Sequence, residues 1–348
     1  MPPISIRRPV TVTTWLILSA ICVLVSPILL ALGKLASSIT GHPRPLIAAR
    51  LVVAYFSHEL VALVACGVLW VGTGGGRLVG SRRWESLHWR LARWFFSGLA
   101  GAGRGVLKID IVPEFSTEAV RALESKRPLI VLSRHAGPGD TIFIVDQLMS
   151  QFQRRPSVVF KESLALDPSI DLLGHRLPQA MLDTSDREES EELIEQITSN
   201  LGPAGVLLLF PEGGNFTPER RRSAIRHLRR RGKHRSAEQA QRMPHVLPPR
   251  PSGTLAALRA NREADVVFAA HTGLGLAAYP AQFWRDMPTG RTFHTRMWLV
   301  SASEVPVTDE ERIDWLYEWW RRIDEWIDWR SRKNESVALR QPPPAQAT

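Results

Sequence analysis

The chain has 348 residues, with 44 Lys and Arg against 34 Asp and Glu, a net charge of +10, and two cysteines. That length and a hydrophobic share of 44% exclude a disordered tail, a collagen and a disulfide-stapled mini-domain, and leave one large domain or two modest ones. The charge is segregated, at +9 over residues 1–110, −7 over 111–218, +9 over 219–250 and −1 over 251–348, so no basic coat for nucleic acid is expected.

From Val12 to Leu32 there are 21 residues without a charge, against the roughly 20 that a helix needs to cross a bilayer. The run is too long for the apolar core of a secretory signal, and a second apolar stretch, Leu51 to Val71, follows it. Residues 1–76 therefore read as an N-terminal two-helix membrane hairpin, with helices at 12–32 and 51–71. His58 and Glu59 fall in the middle of the second stretch, where an ionised group is costly. Glu59 must then face the first helix or the interface, or the hairpin must re-enter one leaflet. Arg7 and Arg8 before the hairpin, and Arg77, Arg82, Arg83, Arg90 and Arg93 after it, place both ends on the cytoplasmic side. Lys34, Arg44 and Arg50 between the stretches weaken that asymmetry and favour the re-entrant form. Cys22 and Cys66 lie in the apolar stretches and read as small buried hydrophobes.

Residues 77–110, with Trp84, Trp89 and Trp94 among Leu87, Arg90 and Leu91, predict an amphipathic helix in the headgroup layer. Residues 111–305 form the next unit. Strands are predicted at 129–133, 157–161, 179–183, 206–210 and 265–270, with helices at 140–152, 187–200 and 252–261 between them. This alternation argues an α/β domain with a mostly parallel sheet flanked by helices. The insert 219–250 carries Arg220, Arg221, Arg222, Arg226, Arg229, Arg230, Arg231, Lys233 and Arg235. It reads either as a solvated loop or as a surface for anionic lipid or a phosphorylated donor. A C-terminal helix over 306–333 carries the stripe Leu316, Trp319, Ile323 and Trp326, suited to packing on the domain or the membrane surface. Residues 334–348 read as a disordered tail.

After the strand 129–133 comes Arg134-His135-Ala-Gly-Pro-Gly-Asp140. A His and an Asp five positions apart, across a Gly-Pro-Gly turn into a helix, can fold back on each other. Asp140 would fix the imidazole tautomer while the other ring nitrogen takes a proton from a substrate hydroxyl. The alternative is an Asp that only caps the helix. Downstream, Phe210-Pro-Glu212-Gly213-Gly214-Asn215 ends a buried strand in a polar turn, where an open α/β sheet presents ligand groups. His58, His88, His175, His271 and His294 lack partners at ligand spacing and read as structural; no metal motif is present.

This pair of motifs in this order resembles the glycerolipid acyltransferase family, typified by lysophosphatidic acid acyltransferases (1-acylglycerol-3-phosphate O-acyltransferases). The family's first block is Asn-His-x-x-x-x-Asp and its third is Phe-Pro-Glu-Gly-Thr-Arg-Ser. Lys161-Glu-Ser-Leu with 174–183 looks like the second block, Val266–Ala270 stands where the fourth would be, and a membrane hairpin upstream is a common family arrangement. The resemblance implies an O-acyltransferase of phospholipid biosynthesis. His135, oriented by Asp140, would be the general base that lets an acceptor hydroxyl attack the thioester of acyl-CoA or an acyl-carrier protein, with no bound cofactor. Glu212 and Gly213, with Gly214 and Asn215 beside them, would shape the acceptor pocket.

The departures from the family concern phosphate. Its Asn before the His is Arg134 here, its second-block Arg is replaced by Thr184, and its third-block Arg by Asn215. Arg134, Lys161, Arg187 or one of Arg220–Arg222 would substitute, since a guanidinium chelates phosphate. Otherwise the acceptor is another lysophospholipid or a glycolipid hydroxyl, or the chain is a lipid-binding member without catalysis. Membrane lipids and a lysophospholipid acceptor are the expected partners. Arg outnumbers Lys 38 to 6, which suggests a GC-rich bacterial genome; the plasma membrane, with the catalytic domain on its cytoplasmic face, is the expected location.

Overall fold

The computed structural model describes residues 3–177, 180–182, 187–274 and 280–340. The chain begins with α1 (Ile4–Leu24), α2 (Ser26–Thr40) and α3 (Arg44–Gly72). Among the described residues, α1 and α3 are long and apolar enough to cross a membrane, and the apolar α2 lies between them. The run expected as one helix over 12–32 instead breaks at Val25. Pro27 has no N–H to continue the helical ladder, and the Ser26 hydroxyl donates to the Val23 carbonyl that the proline leaves open (2.8 Å). Ile17, Ile21, Leu24, Ile28, Leu32, Leu35 and Ile39, with Val61, Val64, Val68 and Val71 of α3, remain exposed. So large an apolar surface marks a membrane-associated protein.

The hairpin is bolted to the rest of the chain by polar contacts. Glu59 is fully buried and accepts the Ser169 N–H (3.3 Å), so it faces inward and not towards lipid. Arg7 and Arg8, expected as topology signals, both donate to Asp171 at 2.7 Å. Tyr55 donates to Asp167 (2.6 Å), which caps the helix that follows it. Helix α4 (Arg82–Leu107) then lies along α3: the His58 ring fills the space above Gly98, and Trp84 the space above Gly72. Its Trp89 is 6% exposed and packs with Cys66, Leu91 and Ala92. Of the three tryptophans expected in the headgroup layer, Trp89 serves the protein interior, Trp84 is half-buried and Trp94 is exposed.

From there the elements alternate: β1 (Asp110–Phe115), α5 (Thr117–Glu124), β2 (Leu129–Ser133), α6 (Pro138–Asp146), β3 (Arg155–Lys161), α7 (Pro168–Arg176), β4 (Ala180–Leu182), α8 (Arg187–Ser199) and β5 (Gly205–Leu209). Then come α9 (Pro218–Arg230), α10 (His234–Gln241), α11 (Pro251–Ala260), β6 (Asp265–Thr272), α12 (Pro280–Arg285), β7 (Thr292–Val300) and α13 (Asp309–Arg340). The described strands form one seven-stranded sheet in the order β1-β7-β6-β2-β5-β3-β4, in which every neighbour pair is parallel except β6 with β7. The chain is thus α/β, with a mostly parallel sheet flanked by helices.

Along β2, β5 and β6 the side chains alternate between two cores. Leu129, Val131, Val206, Leu208, Val267 and Ala269 pack on the side of α4 and α6. Ile130, Leu132, Leu207, Leu209, Val266 and Phe268 pack on the side of α8, α11 and α13. Phe268 stacks on Trp319 with ring centres 4.5 Å apart, and Trp320, Ile323, Trp326 and Ile327 complete the buried face of α13. That helix therefore packs on the domain.

Two further differences from expectation have physical reasons. The arginine-rich insert is helical: Thr217 caps α9 by accepting the Arg220 N–H (3.1 Å), Pro218 starts it, and Ile225 anchors it in the core. The strands β1 and β7 lie outside the alternation, because β7 turns back antiparallel on β6 and carries β1 at the sheet edge. Of the strand expected at 179–183, the ends lie outside the described residues, as do Thr184 and the tail from 341.

Candidate active site

Strand β2 is central, with β5 on one side and β6 on the other, all three parallel. Their carboxyl ends therefore open at one edge, the place where α/β sheets bind ligands. Arg134 and His135 leave β2 there, Phe210 to Asn215 leave β5, and His271 ends β6. The topology brings together three segments that are far apart in sequence.

Asp140 is the third residue of α6 and is 3% exposed. One carboxylate oxygen, Oδ2, accepts the backbone N–H groups of Ala136 (2.6 Å) and Gly137 (2.7 Å), and Oδ1 accepts that of Thr141 (2.7 Å). This fold-back is the capping geometry expected of an Asp at the start of a helix. The same carboxylate serves the imidazoles: His135 Nδ1 lies 3.4 Å from Oδ1, and His271 Nε2 lies 3.2 Å from Oδ2. Asp140 thus caps its helix and at the same time faces two imidazoles. Burial by itself would raise its pKa, but His271, His135 and the Gly137 N–H outweigh it and hold the group at about 2. Asp140 is a fixed anion.

His135 is partly exposed, and its ring packs on Phe210 with centres 4.7 Å apart. Its buried nitrogen, Nδ1, points at Asp140 without completing a hydrogen bond. Such loose geometry is common in catalytic pairs before substrate binds. Nε2 is the nitrogen left for a ligand.

His271 is 1% exposed. Its Nε2–H donates to the Arg134 carbonyl (3.0 Å) as well as facing Asp140, and burial, with Arg134 nearby, pushes its pKa down to about 4. It is a neutral imidazole whose Nε2 lies against the second oxygen of the carboxylate. Sequence reading placed His271 among structural histidines. The available signal was its position at the end of the strand directly after Val266–Ala270.

Glu212 is 2% exposed; Oε1 accepts the His135 N–H (3.3 Å) and Oε2 the Leu247 N–H (3.2 Å). Burial pushes it up to about 8, against the pull of Arg134 and the two N–H donors. It ties the backbone of His135 to the segment after α10. Gly213 follows in a left-handed conformation (φ +65°) with its N–H on the Phe210 carbonyl (2.9 Å), a turn that favours glycine. Gly214 and Asn215 continue it half-buried, and the Phe216 N–H reaches the His135 carbonyl (3.0 Å). The turn therefore wraps His135.

Arg134 points inward. It is 3% exposed, and its guanidinium donates to the carbonyls of His271 (2.7 Å) and His245 (3.0 Å), joining β2, β6 and the segment after α10. Burial pulls its pKa down, countered by Glu212 and Asp140. The backbone of Lys161 ends β3 and that of Arg187 starts α8; both side chains, like Thr184, lie outside the described residues. Arg221 is committed to the carbonyls of Met243, Ala240 and Gln241, and Arg222 to Glu219. Among the described residues no cluster of three or more His, Cys, Asp or Glu is placed to hold a metal ion.

Residues 114–249 match the family model described as Acyltransferase. An acyltransferase-family domain is therefore present; the match holds His135, Asp140 and Glu212 and stops short of His271. No curated protein and no solved structure matches the chain.

Proposed function

We propose that the chain is a membrane-bound O-acyltransferase that moves a fatty acyl group from acyl-CoA or an acyl-carrier protein to the free hydroxyl of a lysophospholipid. The acceptor assigned first is 1-acylglycerol 3-phosphate, which gives phosphatidic acid. The observation that carries this reading is His135 directed at the buried anion Asp140, at the carboxyl edge of the sheet and wrapped by the Glu212 turn.

In the proposed reaction the outer nitrogen of His135 takes the proton of the acceptor hydroxyl as its oxygen bonds to the thioester carbonyl carbon. The tetrahedral intermediate collapses, the carbon–sulfur bond breaks, and the imidazolium returns its proton to the leaving thiolate. Asp140 stabilises the imidazolium while it lasts. No acyl-enzyme is required. Both cysteines sit in the N-terminal helices, Cys22 in α1 and Cys66 in α3. The apolar hairpin keeps the domain at the membrane where acceptor and product reside, and the bacterial plasma membrane, cytoplasmic face, is the assigned location.

The burial of Arg134 favours a second reading, in which the same transfer goes to an acceptor without a phosphomonoester, such as another lysophospholipid or a glycolipid. The purified full-length chain in detergent, given labelled acyl-CoA and a panel of lysolipids, tests both. Phosphatidic acid from lysophosphatidic acid supports the first reading, and product only from other acceptors supports the second. No thioester consumption with any acceptor, from acyl-CoA or acyl-carrier protein, would sink both.

A further inference from the structure

We infer that Arg250, resting on the assignment of an acyl acceptor site at the Glu212 turn, is the residue that binds the acceptor's phosphomonoester. The turn Phe210–Gly213 carries no arginine of its own: the position where the related family has one is Asn215. The structure brings one in from elsewhere. The Arg250 N–H donates to the Pro211 carbonyl (2.8 Å). Its side chain then lies flat over Gly213, with Cδ, Nε and Cζ each 3.1 Å from where a Cβ on that glycine would sit. Glycine at 213 thus meets two demands at once, the left-handed backbone and the room for a guanidinium above it.

The arginine is placed at a fixed offset from the base. Glu212 accepts the His135 N–H with one oxygen and the Leu247 N–H, three residues before Arg250, with the other. Arg134 grips the same strap through the His245 carbonyl. One buried carboxylate and one buried guanidinium therefore lock the arginine-bearing segment to the backbone of His135. Val246 to Pro249 are buried, whereas the Arg250 side chain that ends the strap is exposed.

The neighbouring cations are spent on the fold: Arg134 on two carbonyls, Arg221 on three, Arg222 on Glu219. The Arg250 side chain makes no hydrogen bond or ion pair with any described residue. A guanidinium whose backbone is tied to the turn that wraps His135, and whose side chain is exposed over that turn without a carboxylate, is suited to a phosphate dianion, which it takes with two parallel N–H bonds. The phosphates of the acyl-CoA donor share this chemistry, so the test separates the two sources.

Equilibrium binding of lysophosphatidic acid, monoacylglycerol and acyl-CoA, each alone, to the detergent-solubilised full chain reads the assignment without turnover. Arg250→Gln is expected to weaken lysophosphatidic acid by about 10- to 100-fold, as for loss of a charge-assisted pair, with monoacylglycerol and acyl-CoA unchanged. Arg250→Lys keeps the charge without the fork and should recover part of the loss. Unchanged lysophosphatidic acid binding, an equal loss for monoacylglycerol, or a loss confined to acyl-CoA each overturns the assignment. Thioester consumption by the wild-type chain is measured separately. Its absence would remove the enzyme reading while the binding contrast still decides whether Arg250 holds phosphate.

Discussion

His271 Nε2 and Asp140 Oδ2 are 3.2 Å apart, across a strand boundary that separates them by more than a third of the chain, while His135 approaches the other oxygen of the same carboxylate at 3.4 Å. The two imidazoles differ in kind. His271 is buried and held neutral, with its Nε2–H on the Arg134 carbonyl; His135 keeps one nitrogen directed at Asp140 and the other turned away from it. A carboxylate that accepts three backbone N–H bonds is held in place when substrate arrives. The proposed base thus faces an anion fixed by groups that the proposed proton transfer does not use.

His271→Ala removes a buried donor from the Arg134 carbonyl, which keeps only the Ser133 hydroxyl (2.9 Å), and leaves a void beside Asp140, a loss of about 1–3 kcal/mol in stability. The expected kinetic result is a fall of roughly tenfold or more in kcat, with little change in the KM of the lipid acceptor, because the residue touches no substrate. Assays run well below the melting temperature separate this from simple unfolding. A variant with a lowered Tm and wild-type kcat would make His271 structural only.

His135→Ala should lower turnover by about 10²–10⁴-fold, the usual worth of a general base, without unfolding the protein, since the ring is partly exposed and completes no hydrogen bond to Asp140. Asp140→Asn is expected to lose both turnover and stability. Its amide would direct hydrogens at backbone N–H groups that now donate to an anion. Labelled acyl transfer and thermal melts, read together, distinguish the two variants.

The two buried carboxylates give stability opposite pH dependences. Asp140 is held at about 2, below its unfolded value near 3.8, so its contribution is present above about pH 4 and lost as pH falls towards 2. Glu212 is raised to about 8 from near 4.5, so its contribution is present below about pH 4.5 and is lost as pH rises through 8. Wild-type Tm should therefore fall from pH 6 to 9. Glu212→Gln, neutral throughout, should flatten that slope whatever it does to the absolute Tm. An unchanged slope would show that Glu212 is ionised in the fold.

What could be read from sequence was what is local in sequence. His135 and Asp140 share one turn, and Glu212 and Gly213 share another, so spacing and turn chemistry located both before any topology was known. His271 and Arg250 reach the site only because β6 lies beside β2 and because a strap returns over the β5 turn. For Arg250 nothing in the nearby chain marks this; for His271 the one local sign was its place directly after Val266–Ala270. Arg134 shows the converse. Its place beside the base was plain, but its direction is set by two carbonyls that the fold supplies. The helix in the basic insert had a readable start, Thr217-Pro218-Glu219, which the density of arginines after it obscured. Strand β1, with Pro113 inside it and an exposed face, lacks the apolar run that revealed the central strands.

The contact between His58 and Gly98 offers a test of how the membrane segment is coupled to the site. A Cβ on Gly98 would fall 2.1 Å from His58 Nε2 and 2.3 Å from its Cδ2, so Gly98→Ala must displace the His58 ring, which its Nδ1 contact with the Ala54 carbonyl resists (2.7 Å), or push α3 off α4. Overpacking of this kind costs about 1–3 kcal/mol. Helix α4 packs through Ala100 and Leu107 on Phe143 of α6, the helix that carries Asp140, so the displacement should lower kcat along with Tm. His58→Ala removes the obstructing ring, and the double variant should recover most of both losses, giving a coupling energy well outside experimental error. Additive losses in the double variant, or a Gly98→Ala protein as stable and active as wild type, would show that α3 does not rest on α4 through this pair.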